Sequence, residues 1–253
     1  MGISSAFATI IATVLIFVAG TSFISGIFGM AGGLILMGLL TALFPVPYAM
    51  VLHGAVQLFA NGYRAFLIRE HISWRIVGRY LIGGVLAIGV LFFVFWQPEK
   101  HAVYLMLGVL AFASWIPKSW FALNATRPYQ AEILGFLAQG LNVLAGVVGP
   151  VLDIFFVQSD MTRKEIVATK GATQVIAHTT KIAFWTAPAL MQADGAELPP
   201  LWLIALAIPL SMLGTWLGGL VLHRMSDVSF RDWTKYLLSV VGVIYILRGL
   251  GLI

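Results

Sequence analysis

Apolar residues fall into ten runs along the chain, at about 5–25, 30–44, 48–67, 76–96, 101–117, 131–148, 151–158, 164–190, 200–222 and 233–252. Most approach the roughly 20 residues that a helix needs to cross a bilayer. No period-two alternation runs through them, which excludes a membrane β-barrel. The run at 151–158 is too short to span: eight residues of helix cover roughly 12 Å against a core of about 30 Å. It is expected to return to the side its predecessor left. The spacing thus predicts an all-α polytopic membrane protein with re-entrant or broken helices at residues 26–44 and 146–158. The breaks are expected at Ser25-Gly26, at Pro45-Val46-Pro47 and at Gly149-Pro150.

Two of the runs are interrupted by polar residues in the same places. Residues 53–64 and 170–181 both fit [His/Lys]-Gly-Ala-x-Gln-x-x-Ala-[Asn/His]-x-x-[Arg/Lys]. At about 100° per residue, His53, Gln57, Asn61 and Arg64 fall within roughly 80° of arc, as do Lys170, Gln174, His178 and Lys181. A charge at the centre of a bilayer costs about 2.5–3.5 kcal/mol on the insertion scale, so both stripes should face the bundle interior. Their groups are mostly donors, which suits an anion. The competing reading is that they hold helices together while Arg64 and Lys181 reach for the interfaces.

The duplication extends further. Gly26-Ile27-Phe28-Gly29-Met30-Ala31-Gly32-Gly33 aligns with Gly146-Val147-Val148-Gly149-Pro150-Val151-Leu152-Asp153, and each half then has two more apolar runs. Five segments per half is an odd number, so residues 126–253 should be inverted relative to 1–125. Such repeats place a substrate between broken helices near the midplane. The turns at Gly29 and Gly149 would present helix N-termini, which attract anions. Glycines at this spacing also serve tight helix packing. Asp153 stands where the first half has Gly33. It either caps the short helix, carries a proton, or pairs with Lys170 or Lys181, with His53 and His178 as the other proton carriers.

Composition narrows the function. Hydrophobic residues are 60% of the chain and charged residues 10%, far from the roughly 25% charge of a soluble domain. The net charge of +5 does not indicate nucleic acid, because the basic residues sit in short connections. Arg69, Arg75 and Arg79, then Lys118 and Arg127, then Arg163 and Lys164, then His223, Arg224 and Arg231 follow odd-numbered runs. The connections after even-numbered runs are uncharged, near neutral, or acidic with Asp194 and Glu197. By the positive-inside rule both termini lie outside. The first run lacks a basic leader and is expected to be retained. With no cysteine, thiolate metal sites and thiol relays are absent. No metal-ligand, nucleophile or Walker motif appears, so neither catalysis nor a cofactor is expected.

The Gly26-x-x-Gly29-x-x-Gly32-Gly33 turn, the following Pro-containing break and the Gly-Ala-x-Gln helix, all repeated once, resemble the TauE/SafE sulfite exporter family, also called the 4-toluene sulfonate uptake permease family. The resemblance covers essentially the whole chain. It implies a bacterial cytoplasmic-membrane carrier of small sulfur-containing anions such as sulfite, sulfoacetate or other sulfonates, with proton coupling and export. By position it implies that Gly29, Gly32, Gly33, Gln57, Gly149 and Gln174 line the path. The second turn departs from the pattern at Gly149-Pro150-Val151-Leu152-Asp153, which bears on the substrate. The expected partners are the anion, the bilayer and, as the sequence allows, a second copy of the chain. Alternatives are a passive anion channel and a membrane scaffold that transports nothing.

Overall fold

A computed structural model describes residues 2–28, 31–94, 96–116, 123–156, 159–191, 198–222 and 227–253. Among them are ten α-helices and no strand: α1 (Gly2–Phe28), α2 (Ala31–Leu43), α3 (Val46–Leu67), α4 (Trp74–Val94), α5 (Lys100–Ala111), α6 (Gln130–Ala145), α7 (Gly149–Phe156), α8 (Arg163–Met191), α9 (Leu201–Leu222) and α10 (Asp227–Gly249). The expectations for Gly29, Lys118, Asp194, Glu197, His223 and Arg224 lie outside the described residues.

Among the described residues, three helices are long and apolar enough to cross a membrane by length and composition: Phe7–Phe28, Trp74–Val94 and Leu201–Leu222. Their outer faces carry large apolar side chains, and Phe93 is 85% exposed. Such surface belongs against lipid. α2 has 13 residues and α7 has eight, about 20 and 12 Å of helix, so neither spans.

The helix breaks differ in detail from the expected ones. α1 does not stop at Ser25-Gly26 but runs to Phe28, and Gly26 instead abuts Thr215 and Gly218 of α9. Only Phe44 and Pro45 separate α2 from α3, and Pro47 fits the first turn of α3, where its missing N–H costs nothing. α6 ends at Gly146, not at Gly149-Pro150. Gly146 has φ +81° and its N–H reaches Asn142 O at 3.0 Å, a left-handed C-terminal cap. Gly149 and Pro150 then open α7. Glycine suits the end of a helix and proline its beginning, which is why the boundary falls three residues earlier than the proline suggests. α8 begins with a capping box: Thr162 N–H donates to Glu165 Oε2 (2.8 Å) and Glu165 N–H to Thr162 Oγ1 (3.3 Å).

The principal helix pairs are α1 with α9, α4 with α6, α3 with α8 and α5 with α10. One core lies among α1, α2, α3, α5, α8, α9 and α10, and another among α4, α5, α6 and α7. The α4–α6 pair is drawn together by glycine. A side chain at Gly83 would meet the backbone of Glu132, and one at Gly135 the backbone of Tyr80. At the end of the pair, Arg79 donates two hydrogen bonds of 2.7 Å to Glu132. Gly135→Val should therefore force the helices apart and cost about 1–3 kcal/mol. A clear fall in the melting temperature of the detergent-solubilised protein checks this, and an unchanged one refutes it.

Candidate functional site

α3 and α8 cross antiparallel at the centre. Gly54 faces Lys181 and Ile182, Gly62 faces Val175, and Gly171 faces Asn61 and Ala65. This juxtaposes the two polar stripes. Between them lies a cavity of about 20 Å³ lined by Ser25, Gly33, His53, Gln57, Asn61, Val147, Val148, Gly149, Gln174 and His178. Its polar side chains are buried in the bundle, each less than a tenth exposed: His53, Gln57, Asn61, Gln174 and His178.

The hydrogen bonds fix which groups face inward. Asn61 Nδ2 donates to the Gln57 carbonyl (2.9 Å) and to Gln57 Oε1 (3.2 Å). That engages the Gln57 amide oxygen and leaves its NH₂ as the donor. The His53 Nε2–H donates to the Gly33 carbonyl at 2.9 Å. His178 has a buried Nδ1 without a hydrogen-bond partner, and its ring centroid is 5.8 Å from that of His53 in an edge-on arrangement. Gly149 brings the start of α7 to the same wall. Pro150 has no N–H to offer, and the N–H groups of Val151 and Leu152 donate to Val148 O. Thus amides, imidazole and a helix start converge on one small space, and no carboxylate is among the lining residues. An anion is the ligand that such a set would satisfy.

Seven residues expected in the site line this cavity: Gly33, His53, Gln57, Asn61, Gly149, Gln174 and His178. Five others lie elsewhere or outside the described residues. Gly32 packs against Thr21 and Ser25 of α1. Arg64 is half-buried and its Nη2 donates to the carbonyl of Ser25, a cavity-lining residue, at 3.2 Å. Lys170 forms an ion pair with Asp153, whose side chain is 48% exposed. Lys181 is fully buried and bonded to His53 and to Gly146. Gly29 is outside the described residues. Asp153 is the fifth residue of α7 and its carboxylate turns to Lys170, so it does not cap that helix.

Ser25, Val147 and Val148 also line the cavity without having been expected there. Ser25 adjoins the Gly26 pattern, which could have pointed to it. The two valines carry no chemical signal. They are in place because the chain must connect the Gly146 cap to the start of α7. No group of three or more His, Cys, Asp or Glu side chains among the described residues could hold a metal ion.

The family model described as sulfite exporter TauE/SafE matches residues 12–245 of the 253. No curated protein and no solved structure matches the chain. With the match spanning nearly all of the helical bundle, the chain belongs to the TauE/SafE sulfite exporter family and is a multi-pass membrane protein of a transporter family.

Proposed function

We propose that the protein is a secondary carrier that exports a small sulfur-containing anion, such as sulfite, sulfoacetate or another sulfonate, across the bacterial cytoplasmic membrane. The observation that carries this reading is the convergence of both polar stripes on one cavity whose lining contains no carboxylate. Gln57, Asn61, Gln174 and His178, with the start of α7 at Gly149, are the binding groups. Arg64, bonded to Ser25 O, adds positive potential.

The size of the cavity bears on mechanism. About 20 Å³ holds roughly one water molecule. An anion with three oxygens needs more room, so the helices around the site must part to admit it. Alternating access supplies such an opening from one side at a time. Two inverted halves, 1–125 and 126–253, are part of the proposal. Exchanging α1–α5 with α6–α10 turns the α1–α9 pair into α6–α4 and maps α3–α8 and α5–α10 onto themselves, which supports it. Both termini are then outside, as the basic connections favour.

The test is anion flux in proteoliposomes. Gln57→Ala and Gln174→Ala each remove one donor to a charged ligand, so each should lower flux about tenfold or more. Native rates in both variants, with the protein folded, would remove the basis for a shared site.

A further inference from the structure

Lys181 is fully buried, yet it does not line the cavity. Its Nζ donates to the Gly146 carbonyl at 2.8 Å and lies 2.8 Å from His53 Nδ1. The Gly33 carbonyl can only accept, so His53 carries its ring proton on Nε2 and presents Nδ1 as an acceptor. One continuous chain of hydrogen bonds therefore runs from Gly33, at the start of α2, through His53 and Lys181 to Gly146, at the end of α6.

This chain has two allowed protonation states. With a neutral amine, two N–H bonds of Lys181 serve Nδ1 and the carbonyl. With one more proton, the ammonium keeps both bonds, or the proton sits on Nδ1 and donates back to the amine. A second added proton would set an imidazolium N–H against an ammonium N–H, two donors with no acceptor between them. The pair therefore titrates as a single one-proton unit.

Among the described residues no counter-charge faces it. On α3 the other charged residue is Arg64, eleven residues and about 16 Å along the helix. On α8, Lys170 is held by Asp153 of α7, and His178 is the remaining titratable group near the cavity. α2 and α9 have no titratable side chain. The only charged residue of α6, Glu132, is paired with Arg79 of α4, and on α4 Arg75 is exposed and Tyr80 hydrogen bonds to Gln139. A buried ammonium without a carboxylate is unfavourable, and an anion in a cavity walled by His53 is the compensation within reach.

We infer that the Lys181–His53 pair carries the coupling proton, one with each anion, in place of Asp153. The inference rests on the anion-carrier reading above. As the anion enters, an N–H bond forms on the Lys181 amine or on His53 Nδ1 with a proton from water on the same side. As the anion leaves on the other side, that bond breaks and the proton returns to water there. With a monoanion no net charge crosses.

The experiment is calorimetric titration of the purified protein with sodium methanesulfonate across a pH series, in two buffers of different ionisation enthalpy. The native protein should take up as much as one proton per anion bound. Lys181→Met, which leaves His53 Nδ1 without its partner, should take up less and bind more weakly. Lys181→Arg, which keeps a fixed charge and covers the case in which the methionine variant does not fold, should bind without uptake. Asp153→Asn should retain the uptake. Anion binding by the native protein with no proton taken up at any pH, or undiminished uptake in the Lys181 variants, overturns the inference and leaves the carrier reading standing. Absence of binding with methanesulfonate, sulfoacetate and sulfite alike overturns the carrier reading and this inference together.

Discussion

Gly33→Val is expected to abolish anion flux in proteoliposomes, with Gly33→Ala giving an intermediate loss. A Cβ at Gly33 would stand 3.3 Å from the side-chain carbon and nitrogen of Gln57. That is tight, but the end of a glutamine can turn aside, so alanine displaces the donor without expelling it. The two methyl groups of valine have no such room. They would occupy a cavity of about 20 Å³ and press on the donor that the anion requires. They would also disturb the Gly33 carbonyl that accepts from His53. Gly33 lies in the first turn of α2, a conformation open to any residue, so the backbone is not strained and the effect should fall on transport more than on folding. Flux normalised to folded protein decides the matter. A Gly33→Val variant that transports at half the native rate or better would place the anion elsewhere.

Gly146→Val should produce the largest loss of stability, roughly 3 kcal/mol. Two costs combine. The backbone has φ +81°, where a side chain costs about 1–2 kcal/mol. A Cβ there would also stand 2.6 Å from Met37 Sδ and 3.0 Å from Met50 Sδ, an overpacking of about 1–3 kcal/mol. The methionines can yield in part, being flexible, so the backbone term is the firmer of the two. Gly146→Asn, which tolerates a left-handed backbone better, should lose less. Gly20→Ala, on the outer face of α1 with nothing within 4 Å of the added carbon, should be nearly neutral. Melting temperatures in one detergent order the three variants. Equal values for Gly146→Val and Gly20→Ala would mean that the α6–α7 break is not held as described.

The legibility of the site follows from periodicity. Spacings of three and four along a helix put His53, Gln57, Asn61 and Arg64 on one face before any coordinate is known. The same holds for Lys170, Gln174 and His178. Periodicity gives direction around a helix but not depth along it. Arg64 and Lys170 share the stripes, yet one reaches Ser25 O and the other Asp153, partners on α1 and α7 that the periodicity of α3 or α8 does not contain. Glycine was ambiguous for a related reason. Gly26 and Gly32 serve helix contacts and Gly33 borders the cavity, although all three belong to one sequence pattern.

The run lengths, the polar duplication and the basic connections were sufficient to specify an all-helical membrane protein, two polar helix faces and most of the groups on the cavity wall. Those properties depend on local periodicity and on the cost of placing polar groups in lipid. The tertiary structure decided what each cation does. Of the two lysines open to Asp153 it chose Lys170, and it set Lys181 between His53 and Gly146, which are far apart in the chain. Partners of that kind are chosen by how helices cross, and the crossing is settled by contacts among all of them rather than by the pattern on any one.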